Sequence, residues 1–153
     1  MRLIISLLIL SSLVVAGGLE VTSKDFFYKE GDSKAEFSGD VVAKEGESVI
    51  NSDRLIVFLD KDNEAKKYKA IGHVTFVIKN RKKNRDVSGS CATLTYLPNE
   101  DKYILIGNVV LHDNIKKRDV YGDEVIVDNK KGTSIAKSNS KRPVKFIFNT
   151  TKK

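Results

Sequence analysis

Residues 67–74 read KYKAIGHV, and thirty-five positions later residues 102–109 read KYILIGNV. A weaker copy, FSGDV at residues 37–41, places its glycine thirty-three positions before Gly72. The step Gly-polar-Val therefore occurs three times at nearly constant spacing. Units of this length are too short to bury an apolar face alone, so they must stack and share one core. We expect three β-units whose stack ends in two exposed sheet edges.

The apolar residues around these steps follow the period of a β-strand. They alternate with polar residues in short runs that are rich in Val, Ile, Thr, Phe and Tyr, and the period of a helix is almost absent. The runs lie at residues 55–59, 74–78, 92–96, 104–106, 109–111, 125–127 and 144–148. Turn-forming residues separate them about every ten positions, as in sandwiches and barrels. The sequence predicts an all-β fold of stacked antiparallel strands.

The N-terminal segment has the order of a secretory signal peptide. Met1 and Arg2 precede an uncharged run from Leu3 to Val15, and the small residues Ala16, Gly17 and Gly18 follow it. Thirteen helical residues reach only about 20 Å, which is short of the roughly 30 Å hydrocarbon core of a bilayer. We expect a cleaved signal peptide at residues 1–18, one domain at residues 19–148 and a tail at residues 149–153.

The chain is basic, with 27 Lys and Arg against 20 Asp and Glu and a formal net charge of +7. For an exported protein this charge indicates an anionic lipid, glycan or protein surface rather than nucleic acid. Much of this positive charge lies in two predicted hairpin tips, which we predict to contact lipid phosphates or an anionic membrane. The residues are Lys79, Arg81, Lys82, Lys83 and Arg85 in one tip and Lys116, Lys117 and Arg118 in the other. A solvated turn that keeps the sheet soluble is the alternative. No aromatic residue interrupts residues 79–85, which argues against binding of single-stranded nucleic acid.

No constellation of residues predicts catalysis or a cofactor. The single cysteine, Cys91, cannot form an internal disulfide, and we expect it to be a small buried residue. The two histidines, His73 and His112, lack ligand-like neighbours, so we assign them to sheet faces and not to a metal. Asp53, Asp86 and Asp123 recur at related positions of the repeats, where turn capping is the expected role. We predict that the protein is not an enzyme.

Five motifs resemble those of the periplasmic lipopolysaccharide-transport family of LptA or OstA-like proteins. They are FSGDV at 37–41, INSDRL at 50–55, AIGHV at 70–74, IGNVVL at 106–111 and YGDEVIV at 121–127, and the resemblance covers roughly Glu20 to Phe148. It implies a slightly twisted β-jelly roll that is open at both ends and holds the acyl chains of lipid A between its sheets. It also implies a periplasmic bridge between an LptC-like inner-membrane component and an LptD-like outer-membrane component, built by edge-strand addition.

Two alternatives to this reading stay open. One is a membrane-anchored, LptC-like assembly partner of the same fold, which would keep its N-terminal segment. The other is a structural envelope scaffold that does not bind lipid. Head-to-tail self-association of the chain is a further expected contact, because the stack is expected to have two free edges.

The predicted lipid site is the inward side of the alternating strands, where an uninterrupted apolar stripe would suit acyl chains. The same residues would equally form a closed core, and several runs are apolar on both faces. The candidates are Leu55, Val57, Leu59, Val74, Phe76, Ile78, Leu94, Tyr96, Ile104, Ile106, Val109, Leu111, Val125 and Val127.

Overall fold

The computed structural model describes residues 18–149. The predicted signal segment, apart from Gly18, and the last four residues lie outside this range. Ten β-strands make up the described chain: β1 (Glu20–Thr22), β2 (Asp25–Tyr28), β3 (Lys34–Glu45), β4 (Ser48–Leu59), β5 (Ala65–Asn80), β6 (Arg85–Leu97), β7 (Lys102–Asp113), β8 (Arg118–Asp128), β9 (Thr133–Lys137) and β10 (Lys145–Phe148). The all-β prediction is confirmed.

The strands form one antiparallel sheet in the order β1-β3-β4-β5-β6-β7-β8-β10. Strands β3 to β8 pair as successive hairpins, which is the meander expected from turns about every ten residues. At one edge β2 pairs with the first half of β3 and β1 with its second half. At the other edge β10 pairs with the first half of β8 and β9 with its second half.

The Gly-polar steps lie in the middle of long strands, where they bend the backbone. Gly39-Asp40, Gly72-His73 and Gly107-Asn108 each place two consecutive residues at positive φ, with glycine at 85° to 91° and the polar residue at 46° or 47°. The pairing register shifts at each step, as in a β-bulge. The hydrophobic pattern predicts residues 104–106 and 109–111 as two separate strand runs. They belong instead to the single strand β7, because a bulge turns a strand without ending it.

These bends fold the meander into two facing layers. Sheet I contains β2, β9, the first halves of β3, β5 and β7, and the second halves of β4, β6 and β8. Sheet II contains β1, β10 and the complementary halves. The vertex of the fold lies along the bends, and the hairpin tips of both sheets lie on the open side, which we call the mouth.

The core lies between the two sheets. One cross-strand row of sheet I belongs entirely to it, and its members are Phe37, Leu55, Ala70, Leu94, Leu105, Val125 and Ala136. Val74, Phe76, Ile78 and Val109 face this row from sheet II and are buried. Cys91 is buried among them, and the burial raises the pKa of its thiol to about 12. The thiol is therefore an inert part of the core.

Candidate lipid-binding groove

The two sheets enclose a cavity of about 810 Å³ on the side of β8, β9 and β10. Its inner wall is apolar, with Leu105, Val125 and Val127 on sheet I and Leu111 and Val120 on sheet II. Ligand pockets for small molecules commonly measure roughly 300–1,000 Å³ and are lined in the same way. Because β9 and β10 both pair with β8 and not with each other, the two layers separate at this edge and leave the cavity open.

A second compartment of about 130 Å³ lies on the side of β3 and β4. Ile78, Leu94 and Tyr103 line both compartments, so the two meet at these side chains. Tyr103 continues a row of rings across sheet I, with centroids 4.5 Å from Tyr96, which in turn lies 6.2 Å from Tyr68. The interior is therefore one groove that is wide towards β8 and narrow towards β3.

Eight of the fourteen predicted lipid-contacting residues line one of the two compartments: Leu55, Phe76, Ile78, Leu94, Tyr96, Leu111, Val125 and Val127. Eleven of the fourteen belong to the core or pack against it: Leu55, Val57, Val74, Phe76, Ile78, Leu94, Tyr96, Val109, Leu111, Val125 and Val127. Leu59, at the end of β4, is half-buried and is not part of the core cluster. Their contact with lipid itself remains a prediction.

The inward placement of Ile104 and Ile106 is wrong. Both alternate along β7 with the core residues Tyr103 and Leu105, so they lie on the outer face of sheet I. The side chain of Ile106 is 46% exposed, and its cross-strand partner is Glu124. The run from 103 to 106 is apolar on both faces, so its alternation alone does not indicate which face points inward.

Sequence reasoning missed several residues that line the wide compartment. Leu105, Val120 and Tyr103 were not selected, although Tyr103 stands in the repeated motif KY. Val87 and Phe146 also line the cavity. The pairing register would have identified Leu105, because its partner Leu94 lies between Thr93 and Thr95 and so has one clear inward face.

The predicted basic residues divide into two groups. Lys83, Arg85, Lys116 and Arg118 line the mouth of the wide compartment, together with the acidic residues Asp86, Asp113 and Asp128. The other four lie away from it. Lys79 and Arg81 form ion pairs with Asp86 and Glu47 on sheet II, and Lys82 and Lys117 are exposed at the hairpin tips. Half of the predicted headgroup set therefore lies where a headgroup would emerge from the groove.

Asp101 has three side-chain partners at the mouth, namely Arg85, Asn129 and Lys83. Arg85 Nη2 lies 3.3 Å from Asp101 Oδ2 and Arg85 Nη1 lies 3.4 Å from Oδ1, while Asn129 Nδ2 donates to Oδ1 at 3.3 Å. Burial raises the pKa of Asp101, but the hydrogen bonds from Asn129 and Arg85 and the charges of Arg85 and Lys83 outweigh it, and the net shift is downward. Asp101 is therefore ionised at neutral pH.

Within residues 18–149 no group of three or more His, Cys, Asp or Glu side chains is arranged to hold a metal ion. His73 Nδ1 lies 2.7 Å from Asp53 and His112 Nδ1 lies 2.6 Å from Asp119, each as a single pair on a sheet face. In the same part of the chain no helix is long and apolar enough to cross a membrane.

Comparison with known proteins agrees with this geometry. Among solved structures, LptH is described as the LptA homologous periplasmic component of the conserved lipopolysaccharide transport device from Pseudomonas aeruginosa. It matches with a TM-score of 0.73 and 15% identity over 86% of this chain and 95% of that chain, which shows the fold. No curated protein matches significantly. Residues 20–133, most of the chain, match the family described as LptA/(LptD N-terminal domain) LPS transport protein, so this protein belongs to that family.

Proposed function

We propose that the protein works in the periplasm, where it binds lipopolysaccharide (LPS) with the acyl chains in the groove and the phosphorylated headgroup at the mouth. Members of the family are transport proteins, and the protein is not an enzyme. The observation that carries the proposal is the apolar compartment of about 810 Å³, which is open at one sheet edge and whose mouth, between the hairpin tips, is lined by Lys83, Arg85, Lys116 and Arg118.

The physical basis is the separation of apolar and charged groups. Each methylene removed from water contributes about 0.8 kcal/mol, so a tail of ten or more carbons provides ample affinity without specific contacts. The Arg and Lys side chains at the mouth can donate charge-assisted hydrogen bonds to phosphates at the place where the headgroup stays in water. A binding site of this kind holds the lipid by burial and orients it by charge.

The free sheet edges support a bridging role. Strands β1 and β2 end the sheet on one side and β9 and β10 end it on the other, and each edge exposes aromatic rings. Phe26 and Phe27 are 42% and 64% exposed, and Phe146 and Phe148 are 47% and 60% exposed. Edge strands with apolar side chains favour the addition of another strand. We propose an LptC-like partner, an LptD-like partner or a second copy of this chain at these edges.

Photo-crosslinking in cells tests the lipid site. A benzophenone amino acid replaces Leu111, which lines the wide compartment, and in a second variant it replaces Ile106 on the outer face of the same strand. We expect adducts with LPS from position 111 and none from position 106. Equal yields at the two positions, or no adduct at position 111, would contradict binding inside the groove and favour the scaffold alternative.

N-terminal sequencing of the exported protein tests its location. A mature chain that begins after Ala16, Gly17 or Gly18 supports the proposed cleaved signal peptide. An intact Met1 in the envelope fraction would instead support the anchored, LptC-like alternative.

A further inference from the structure

One ion-pair cluster joins the two sheets across the mouth. Arg85 starts β6 at a hairpin tip of sheet II, and Asp101 precedes β7 at a hairpin tip of sheet I. Arg85 and Asp101 make two contacts, of 3.3 and 3.4 Å, and Lys83 Nζ lies 3.7 Å from Asp101 Oδ2. Both ion pairs connect the tips of opposite sheets. We call this cluster the strut.

The Arg85–Asp101 pair of the strut is better shielded from water than an ordinary surface ion pair. The side chains of Arg85 and Asp101 are only 22% and 17% exposed, so water screens the attraction weakly. The backbone N–H of Asn129 donates to the Asp101 carbonyl at 3.0 Å, which ties the tip before β7 to the tip after β8. The strut therefore joins three hairpins.

Its position coincides with the junction of the two compartments. Arg85 and Lys83 line the wide compartment, and Tyr103, two residues after Asp101, lines both. A lipid in the groove has its chains inside and its headgroup outside, so the atoms that connect them pass through the mouth. Such a molecule cannot move along the groove past a bridge between the rims unless the bridge opens.

We propose that the strut gates the passage of an anionic lipid between the wide and narrow compartments. We further propose that a phosphate on the lipid headgroup opens it by taking the place of Asp101 on Arg85 and Lys83. This inference rests on the proposed function. A phosphate offers a guanidinium the same paired acceptor oxygens as a carboxylate and carries more charge, so it competes well for Arg85.

The next repeat supplies a matched control. Arg118 lies thirty-three positions after Arg85 and also starts a strand of sheet II at the mouth. Its Nε lies 3.4 Å from Asp113 Oδ2 on the same hairpin, so this pair stays within one sheet. Asp101→Asn and Asp113→Asn therefore remove the same charge from two similar ion pairs, of which only one joins the sheets.

Lipid exchange distinguishes the two variants. Fluorescent lipid A with two phosphates, and the same lipid without phosphates, are each exchanged between a loaded and an empty protein. We expect the wild-type protein to exchange the phosphorylated lipid faster. Asp101→Asn should raise the exchange rate of the phosphate-free lipid about three- to tenfold and so remove most of the difference between the two lipids. Asp113→Asn should leave the exchange rate of the phosphate-free lipid unchanged. Equal rates for wild type and Asp101→Asn, or equal effects of both variants, would overturn the gate.

A distance measurement tests the strut without lipid. Spin labels at Lys82→Cys and Glu100→Cys report the separation of two exposed tips on opposite sheets, and the buried Cys91 does not compete for the label. We expect Asp101→Asn to broaden the distance distribution and Asp113→Asn to leave it unchanged. An unchanged distribution in both variants overturns the strut, whereas failure of the wild-type protein to bind either lipid overturns the proposed function itself.

Discussion

At the scale of single residues, the bends depend on glycine for two separate reasons. Gly107 has φ of +91°, and a Cβ placed there would lie 2.5 Å from the Cβ of Ala92 on the neighbouring strand. A Cβ on Gly72 would similarly lie too close to the side chain of Asp53 on the neighbouring strand β4. The close approach of the next strand excludes a side chain, and the left-handed backbone disfavours one. Asp53 lies opposite a bend in mid-strand and pairs with His73, so its predicted role in turn capping is wrong. Asp123 also lies in mid-strand, but its carboxylate accepts the backbone N–H of Asn139 in the loop after β9, as a turn cap does.

Substitution of Gly107 separates these two costs. We expect Gly107→Ala to lower the free energy of unfolding by roughly 2–4 kcal/mol, because the backbone strain and the contact with Ala92 add. Gly46→Ala is the control, because its φ is +59° and nothing lies within 4 Å of the added Cβ. It should cost only about 1 kcal/mol. Urea unfolding measures both, and equal losses would show that the contact with Ala92 is unimportant.

The buried thiol of Cys91 predicts a second measurable property. Burial raises its pKa from 9.0 to about 12, so at pH 8 only about one folded molecule in ten thousand carries the reactive thiolate. The folded protein should react with a thiol reagent no faster than it unfolds, and the urea-unfolded protein should react at once. Because the unfolded thiol loses its proton first, this group lowers stability as the pH rises from 9.0 towards 12. Rapid stoichiometric labelling of the folded protein would contradict the burial.

At the scale of elements, the sequence identified the strands better than their faces. Period-two runs and turn residues located the hairpins β3 to β8, since both signals are local. The short strands β1, β2 and β9 escaped, because pairing with a long neighbour stabilises them more than their own composition does. The inward face of β7 needed the register with β6 and β8, and a single strand with apolar residues on both faces does not contain that information.

The edge strands predict how the chain associates with itself. We expect Phe27→Lys on β2 and Phe148→Lys on β10 each to weaken concentration-dependent self-association by roughly tenfold, because a charge replaces an exposed ring at an edge. Val77→Lys is the control, since Val77 is 40% exposed in mid-sheet and at neither edge. Sedimentation velocity measures the effect. A loss of association in Val77→Lys alone would place the contact on the sheet face instead.

At the scale of the whole molecule, the groove is asymmetric in a way that no local pattern predicts. The repeats are similar in sequence, yet the interior is about six times larger towards β8 than towards β3 (about 810 against 130 Å³). Ala43, Tyr68 and Tyr96 line the narrow end, where rings fill the space between the sheets. At the wide end β9 and β10 separate the layers. The volume follows from how the layers close, which depends on all ten strands together.

This asymmetry predicts which part of the groove holds lipid. We expect Val87→Trp, which fills part of the wide compartment, to weaken binding of fluorescent lipid A roughly tenfold or more by excluding acyl chains. Ile50→Trp makes a matched change, because Ile50 is also a half-buried, β-branched residue but lines the narrow compartment. It should leave the affinity within about twofold.

Urea unfolding of both tryptophan variants distinguishes a loss of groove volume from a loss of stability. Overpacking at either position typically lowers the free energy of unfolding by about 1–3 kcal/mol. The two compartments differ in lipid binding only if two equally stable variants differ in lipid affinity. If Ile50→Trp weakens binding as much as Val87→Trp at equal stability, the acyl chains occupy the whole length of the groove. The strut of Arg85 and Asp101 would then stand across the path of a bound lipid even at rest, and the ion pair would have to be broken in the loaded protein.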